Sequence, residues 1–137
     1  MKKPLVLLFL VALVANTLAQ DTKSAAAKVN GAVITFEKST HDFGDIYQGD
    51  NVEHVYKFTN TGNEPLIISN IQVTCGCTAP SWPKNPIPPG GKGEIKIGFN
   101  SAGKMGRQNK TVTVVSNAVN EDNLISFVTN ILAKNPQ

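Results

Sequence analysis

Residues 94–100, EIKIGFN, alternate strictly between apolar and polar side chains, and this pattern limits the folds open to the chain. Ile95, Ile97 and Phe99 would share one face of a β-strand, whereas a helix would spread them around its circumference. Similar short runs recur through residues 32–133, separated by Gly, Asn and Pro, and no window sustains a period of 3.6. The sequence therefore predicts an all-β domain.

The number of these runs narrows the architecture. About seven strands can be counted, which is what an immunoglobulin-like β-sandwich needs. The run LIISNIQVT, residues 66–74, is apolar on both faces, as expected of a central strand. Residues 80–89 contain five of the eight prolines and the only tryptophan, Trp82, so they are predicted to form a stiff surface loop that Trp82 anchors. The side chains expected to be mostly buried are Ile34, Phe36, Phe58, Ile95, Ile97, Phe99 and Phe127.

The first 19 residues predict export. Two lysines precede an apolar run from Leu5 to Ala15, and small residues ending at Ala19 form a cleavage site, so residues 1–19 are interpreted as a signal peptide. Residues 20–31 are small and polar and are predicted to be a flexible N-terminal segment, followed by the sandwich domain at residues 32–137. We expect a periplasmic or secreted protein with no membrane span once the signal is removed.

Charge and motif content exclude several function classes. Removal of Lys2 and Lys3 with the signal lowers the formal net charge from +3 to +1, so nothing in the charge favours nucleic acid as a partner. The sequence has no GxSxG motif, no phosphate-binding glycine loop and no dense cluster of His, Asp and Glu. We therefore expect a chain that is not an enzyme, with no catalytic residues and no resident cofactor.

Cys75 and Cys77, in TCGCTAP, are the only cysteines and the main candidate site. Two cysteines separated by one residue cannot form a disulfide that bridges two sheets. A disulfide that closes so small a ring would add only about 1.6 kcal/mol to the free energy of unfolding, against about 3 kcal/mol for a fifteen-residue loop. Four interpretations remain open: a local disulfide, redox exchange, a Cu(I) site formed by two thiolates, and inert free thiols. Low-pKa thiols usually have a cation or a helix N-terminus beside them, and the neighbouring sequence offers neither.

The two histidines are weaker candidates. A tetrahedral zinc site would need two ligands besides the thiols, and His41 and His54 are the histidines available. His54 shares a strand face with Val52 and Tyr56, so a packed histidine is the expected outcome. His41 is expected to precede a strand and to be exposed. Met105, between two glycines, is expected in a hairpin.

The stretch from His41 to Asn117 resembles a known family. The phrases that carry the resemblance are HDFGDIYQGDNVEHVYKFTNTGNEPLIISNIQVTCGCTAP, PIPPGGKGEIKIGFN and GRQNKTVTVVSN. They are similar to the bacterial domain of unknown function family 1573 (DUF1573), an exported relative of the immunoglobulin-like ASH, major sperm protein and PapD-like domains. The resemblance implies a fold, an exported setting and a binding or structural role, and it supplies no catalytic residues.

Two functions follow as hypotheses. The first is an exported, non-catalytic module that binds an unidentified protein partner or forms part of the bacterial cell envelope, with strand addition at a sheet edge as the physical route. The alternative is a thiol module that binds Cu(I) or exchanges disulfides through Cys75 and Cys77.

Overall fold

Residues 30–134 of the computed structural model form eight β-strands and no helix. The structure describes only these residues, so the predicted signal peptide, residues 1–19, and nearly all of the predicted flexible segment, residues 20–31, lie outside them. The strands are β1 (Ile34–Phe36), β2 (Thr40–Tyr47), β3 (Asn51–Asn60), β4 (Ile68–Gln72), β5 (Cys77–Ser81), β6 (Lys92–Asn100), β7 (Gly106–Ser116) and β8 (Leu124–Leu132).

The eight strands form two four-stranded sheets packed face to face. The first sheet has the order β1-β3-β6-β5 and is antiparallel throughout. The second has the order β2-β8-β7-β4, and β2 runs parallel to β8. The chain crosses between the sheets at several connections, including those from β1 to β2 and from β4 to β5. This all-β sandwich confirms the predicted fold class.

The core forms where the inward faces of the two sheets meet. Phe99 on β6 contacts Phe127 on β8, with ring centroids 5.1 Å apart. The Tyr56 hydroxyl on β3 donates a hydrogen bond of 2.8 Å to the Ser126 carbonyl, which joins the sheets a second time. Of the seven side chains predicted to be buried, six are buried and Phe36 is partly buried against them. The alternation of apolar and polar residues therefore predicted correctly which face of these strands is buried.

The prediction of a central strand at residues 66–74 is wrong. Only Ile68–Gln72 forms β4, and β4 is an edge strand of its sheet. The register shifts between Ile68 and Asn70, and Ile67 and Val73 at the two ends are 45% and 42% exposed. The run looks apolar on both faces because the shift brings Ile68 and Ile71, three residues apart, both into the core. Leu66, just before the strand, is buried against the proline-rich loop, where it pairs with Ile87.

Asn60, at the end of β3, holds three segments together. Its side chain is fully buried, and its Nδ2 donates to the carbonyls of Glu64 at 2.7 Å and Ile87 at 2.9 Å. Its Oδ1 accepts from the backbone N–H groups of Gly62 at 3.0 Å and Val33 at 3.3 Å. All four hydrogen bonds of the amide therefore replace those that water would provide. The FTNTG turn, the N-terminal strand and the proline-rich loop meet at this side chain.

The proline-rich loop lies at the surface, as predicted, except that Pro80 belongs to the edge strand β5. Ile87 is buried and exchanges two backbone hydrogen bonds of 2.8 Å with Leu66. Trp82 packs partly buried against the core, with the Lys84 ammonium over its ring. The loop is thereby attached to the sandwich at two points.

Candidate functional site

The two cysteines flank a tight turn that leads from one sheet to the other. The Cys77 N–H donates to the Thr74 carbonyl at 2.9 Å, and Gly76, in the third position of the turn, has a φ of 84°. A positive φ in that position is the requirement of a type II turn, which glycine meets without strain. The turn carries the chain from β4, at the edge of one sheet, to β5, at the edge of the other.

The turn places the two thiols in different surroundings. Cys75 is exposed, whereas Cys77 is 7% exposed and belongs to the core cluster, with its Sγ 3.6 Å from the Thr74 hydroxyl. Cys77 begins β5 and pairs with the buried Phe99. Both thiols are free in the structure, so a disulfide between Cys75 and Cys77 stays a prediction.

A lysine lies against the turn, which the sequence did not indicate. A Cβ placed on Gly76 would be 2.7 Å from the Lys104 Cε and 3.1 Å from its Nζ. The Gly76 carbonyl also accepts a hydrogen bond of 2.9 Å from the Asn100 N–H. The end of β6 and the connection that follows it therefore pack against the turn at residues 74–77, and this connection brings the Lys104 ammonium beside Gly76. The absence of a side chain at residue 76 makes this approach possible.

His41 and His54 form a stacked pair between the sheets. Their ring centroids are 3.6 Å apart and their planes differ by 9°. Phe43 meets His41 edge-on at 4.5 Å, and Tyr56 meets His54 edge-on at 4.8 Å. His41 lies within β2 and is partly buried, so the expectation of an exposed residue before a strand is wrong. His54 is packed, as expected.

Burial lowers the pKa of both imidazoles and so favours their neutral form. It lowers the pKa of His41 below the ordinary 6.5, and Lys38 lowers it further while Asp42 opposes them. The pKa of His54 is lowered by burial first, then by His41 and Lys38. Within residues 30–134, no group of three or more His, Cys, Asp and Glu side chains could hold a metal ion. The histidines and thiols therefore do not assemble the four-ligand zinc site.

Most sheet edges in the described chain are irregular. β1 is only three residues long, β5 contains Pro80 and a register shift, and β2 and β4 each have a register shift. Short strands, prolines and bulges are the usual means by which proteins discourage unwanted strand pairing. These four edges are therefore poorly suited to accept a further strand.

Two longer strands of the described chain keep a regular stretch that their edge neighbour leaves unpaired: residues 51–56 of β3, beyond the short β1, and the first part of β7, beyond β4. β4 pairs only with Thr113–Ser116. Within the described chain, residues 106–112 have β8 on one side and no strand on the other; we call this side the open β7 edge. The Val114 N–H donates to the Asn123 carbonyl. Because hydrogen bonding alternates along an antiparallel strand, the backbone groups of Arg107, Asn109 and Thr111 project towards the open side.

The architecture defines the class of the protein as an immunoglobulin-like β-sandwich. The chain belongs to the family described as protein of unknown function (DUF1573), whose model matches residues 34–131. That description names no catalytic activity. No match was found among curated protein sequences.

Solved structures share the fold at low sequence identity. A protein of unknown function from Porphyromonas gingivalis W83 has 16% identity and a TM-score of 0.59, with 80% of this chain and 50% of that chain covered. A PapD-like (ASH) domain of human CEP192 has 11% identity and a TM-score of 0.56, with 77% and 89% covered. The secreted serine protease VesC from Vibrio cholerae has 14% identity and a TM-score of 0.53, with 74% and 23% covered.

This chain thus spans half of the Porphyromonas protein and under a quarter of VesC. At these identities the likeness extends to the fold alone. None of residues 30–134 forms a helix long and apolar enough to cross a membrane.

Proposed function

We propose that the protein is an exported, non-catalytic immunoglobulin-like module that binds a protein partner, or joins an assembly, in the bacterial cell envelope. The observation that carries the proposal is the open sandwich: within residues 30–134 neither sheet closes into a barrel, and no helix covers an edge. Open edges present unpaired N–H and C=O groups that an extended segment of a partner can bind.

The export part of the proposal depends on the sequence of residues 1–19, and the low net charge of the remainder is consistent with a protein partner. Membership in DUF1573 brings no reaction that would require catalytic residues.

Photo-cross-linking in the living bacterium tests the binding role. A photoreactive amino acid is placed at one exposed position on each edge and, as a control, at Lys96 on β6, which has a strand neighbour on both sides. The edge positions are Thr35, Asp45, Ser69, Thr78 and Asn109. We expect a protein adduct from at least one edge position and none from Lys96. Adducts from no edge position, or equally from Lys96, would contradict the proposal.

A thiol function is the second candidate, and the exposure of Cys75, next in sequence to the Gly76 over which Lys104 lies, favours it. Because Cys77 is in the core, the two sulfurs could share a Cu(I) ion or a disulfide only after Cys77 turns outward. Thiol titration and Cu(I) competition on protein purified from the periplasm test this. Two free thiols per chain, with Cu(I) affinity no greater than that of the Cys77→Ala variant, would exclude it.

A further inference from the structure

The open β7 edge is as regular as the unpaired stretch of β3, residues 51–56, but differs from it in charge, because that stretch of β3 carries Glu53. Its pairing with β8 continues from Gly106 to Thr113 without a register shift. Arg107, Asn109 and Thr111 are exposed. Residues 106–112 offer about 23 Å of strand, at about 3.3 Å per residue, enough for an added strand of about seven residues.

The direction of an added strand follows from β4. β4 pairs antiparallel with the neighbouring part of β7 and leaves it after Gln72, where Val73 is exposed. A segment that extends the line of β4 would lie antiparallel to residues 106–112, at the usual strand spacing of about 4.8 Å. The open β7 edge is thus a position beside β7 that β4 leaves empty.

The charges near the open β7 edge indicate which kind of segment would bind there. β7 and its two neighbours, β4 and β8, contain two charged residues, Arg107 and Lys110, and both are basic; the acidic residues of the sheet, Asp42 and Asp45, lie on β2, beyond β8. From Ile95 to Asn120 the chain has four basic residues and no acidic one. Arg107 is exposed on the outer face, whereas Lys110 is paired with Phe127 on the face towards the other sheet. The two charges therefore lie on opposite faces of the strand, three residues apart.

The same charges disfavour two other occupants. A second copy paired through the same edge would bring Arg107 and Lys110 near their own counterparts, and like charges across strands are destabilising. Residues 20–29 of this chain contain one aspartate and two lysines, so their side chains are net basic and do not match the basic edge.

We propose that the open β7 edge binds an extended acidic segment of another protein, in which two acidic residues lie three positions apart. One faces Arg107 on the outer side of the added strand and the other faces Lys110 on the inner side. The inference rests on the proposed protein-binding function and assigns it a site and a partner chemistry. The backbone of Arg107, Asn109 and Thr111 supplies the hydrogen bonds, and the two cations select the sequence.

Synthetic heptapeptides test the site by NMR titration of the mature chain at low salt. The acidic probe is TTEVTET, with glutamates three apart. One control, TTKVTKT, reverses the charge, and the other, TTETEVT, keeps the composition but moves the glutamates to two apart, onto one face. We expect TTEVTET to shift the amide signals of Arg107, Asn109 and Thr111. We expect TTKVTKT to bind about tenfold more weakly and added salt to weaken the acidic probe.

Two variants separate strand addition from a surface charge effect. Asn109→Pro removes an N–H on the open side, where proline is tolerated in an edge strand, and should abolish probe binding; Asn109→Ala should retain it. The double variant Arg107→Glu, Lys110→Glu should prefer TTKVTKT. This double variant also tests the proposed site if Asn109→Pro fails to fold.

The inference is overturned if TTEVTET leaves the three amides unshifted, if both glutamate spacings bind equally, or if folded Asn109→Pro binds as well as Asn109→Ala. Failure of the two proposals can be distinguished. Cross-linking in cells through another edge, with no peptide binding here, removes only this site. Peptide binding here without any adduct in cells removes the proposed function and leaves the open β7 edge as a competent but unused surface.

Discussion

Replacing Asn60 with alanine should destabilise the domain more than its size suggests. The substitution removes two donors to the Glu64 and Ile87 carbonyls and an acceptor for two backbone N–H groups. A hydrogen bond contributes about 0.5–1.5 kcal/mol net, so four give about 2–6 kcal/mol, and the full burial of the side chain favours a value near 4 kcal/mol. A small cavity would also be left in place of the amide.

Urea unfolding, followed by tryptophan fluorescence and circular dichroism, measures this loss. Asn63→Ala is the matched control, because Asn63 is an exposed asparagine in the same turn whose Oδ1 accepts from the Gly31 N–H at 2.7 Å. We expect it to cost no more than about 1 kcal/mol. Asn60→Asp is nearly isosteric but would turn a carboxylate oxygen towards the two carbonyls, so it should be at least as damaging as Asn60→Ala.

A loss below about 1 kcal/mol for Asn60→Ala, or an Asn60→Asp variant as stable as the parent, would refute the reasoning. Either result would mean that water enters and satisfies the backbone groups that Asn60 now pairs.

Three further predictions concern other parts of the chain. Under reducing conditions an alkylating reagent should label Cys75 in the folded protein and Cys77 only on unfolding. Cys77→Ser should lower the free energy of unfolding by about 1–2 kcal/mol, whereas Cys75→Ser should change it by no more than about 0.5 kcal/mol. Equal labelling or equal costs would contradict this. Because the pKa values of His41 and His54 are lowered on folding, the unfolded state binds more protons than the folded state below pH 6.5. The free energy of unfolding, measured by urea titration, should therefore fall as the pH drops through this region. The substitutions His41→Asn and His54→Asn should each make this dependence on pH weaker. N-terminal sequencing of the native protein should begin at or near Gln20, with release that needs no detergent; retention of Met1 in membranes would argue against export.

The sequence predicted those features that depend on neighbouring residues. Alternation with a period of two identified the strands and their buried faces, because the face of a strand residue is set locally. It could not show that residues 66–74 lie at a sheet edge, since an edge is defined by the absence of a partner elsewhere in the chain. The stacking of His41 on His54 and the approach of Lys104 to Gly76 likewise depend on sheet packing.

The motifs that carried the family resemblance have structural explanations. In FTNTG, Asn60 satisfies four backbone groups, and a Cβ on Gly62 would collide with the backbone at Gly31 and Val33. In PPGGKG, a Cβ on Gly93 would collide with the Phe58 ring. These residues specify the scaffold, which is why the motifs predicted the fold well and the partner not at all. The open β7 edge has no motif of its own, because it results from the early departure of β4.

The parallel pairing of β2 with β8 determines how the domain would respond to tension. β2 lies near the beginning of the described chain and β8 at its end, and they are hydrogen-bonded side by side in the same direction. A pull on the two ends would draw these strands along their own axes in opposite directions, so that the hydrogen bonds between them bear the load together rather than one after another. An antiparallel pair in the same place would open like a zipper from one end. The parallel pairing therefore gives the described domain mechanical resistance to such a pull without any additional covalent bond.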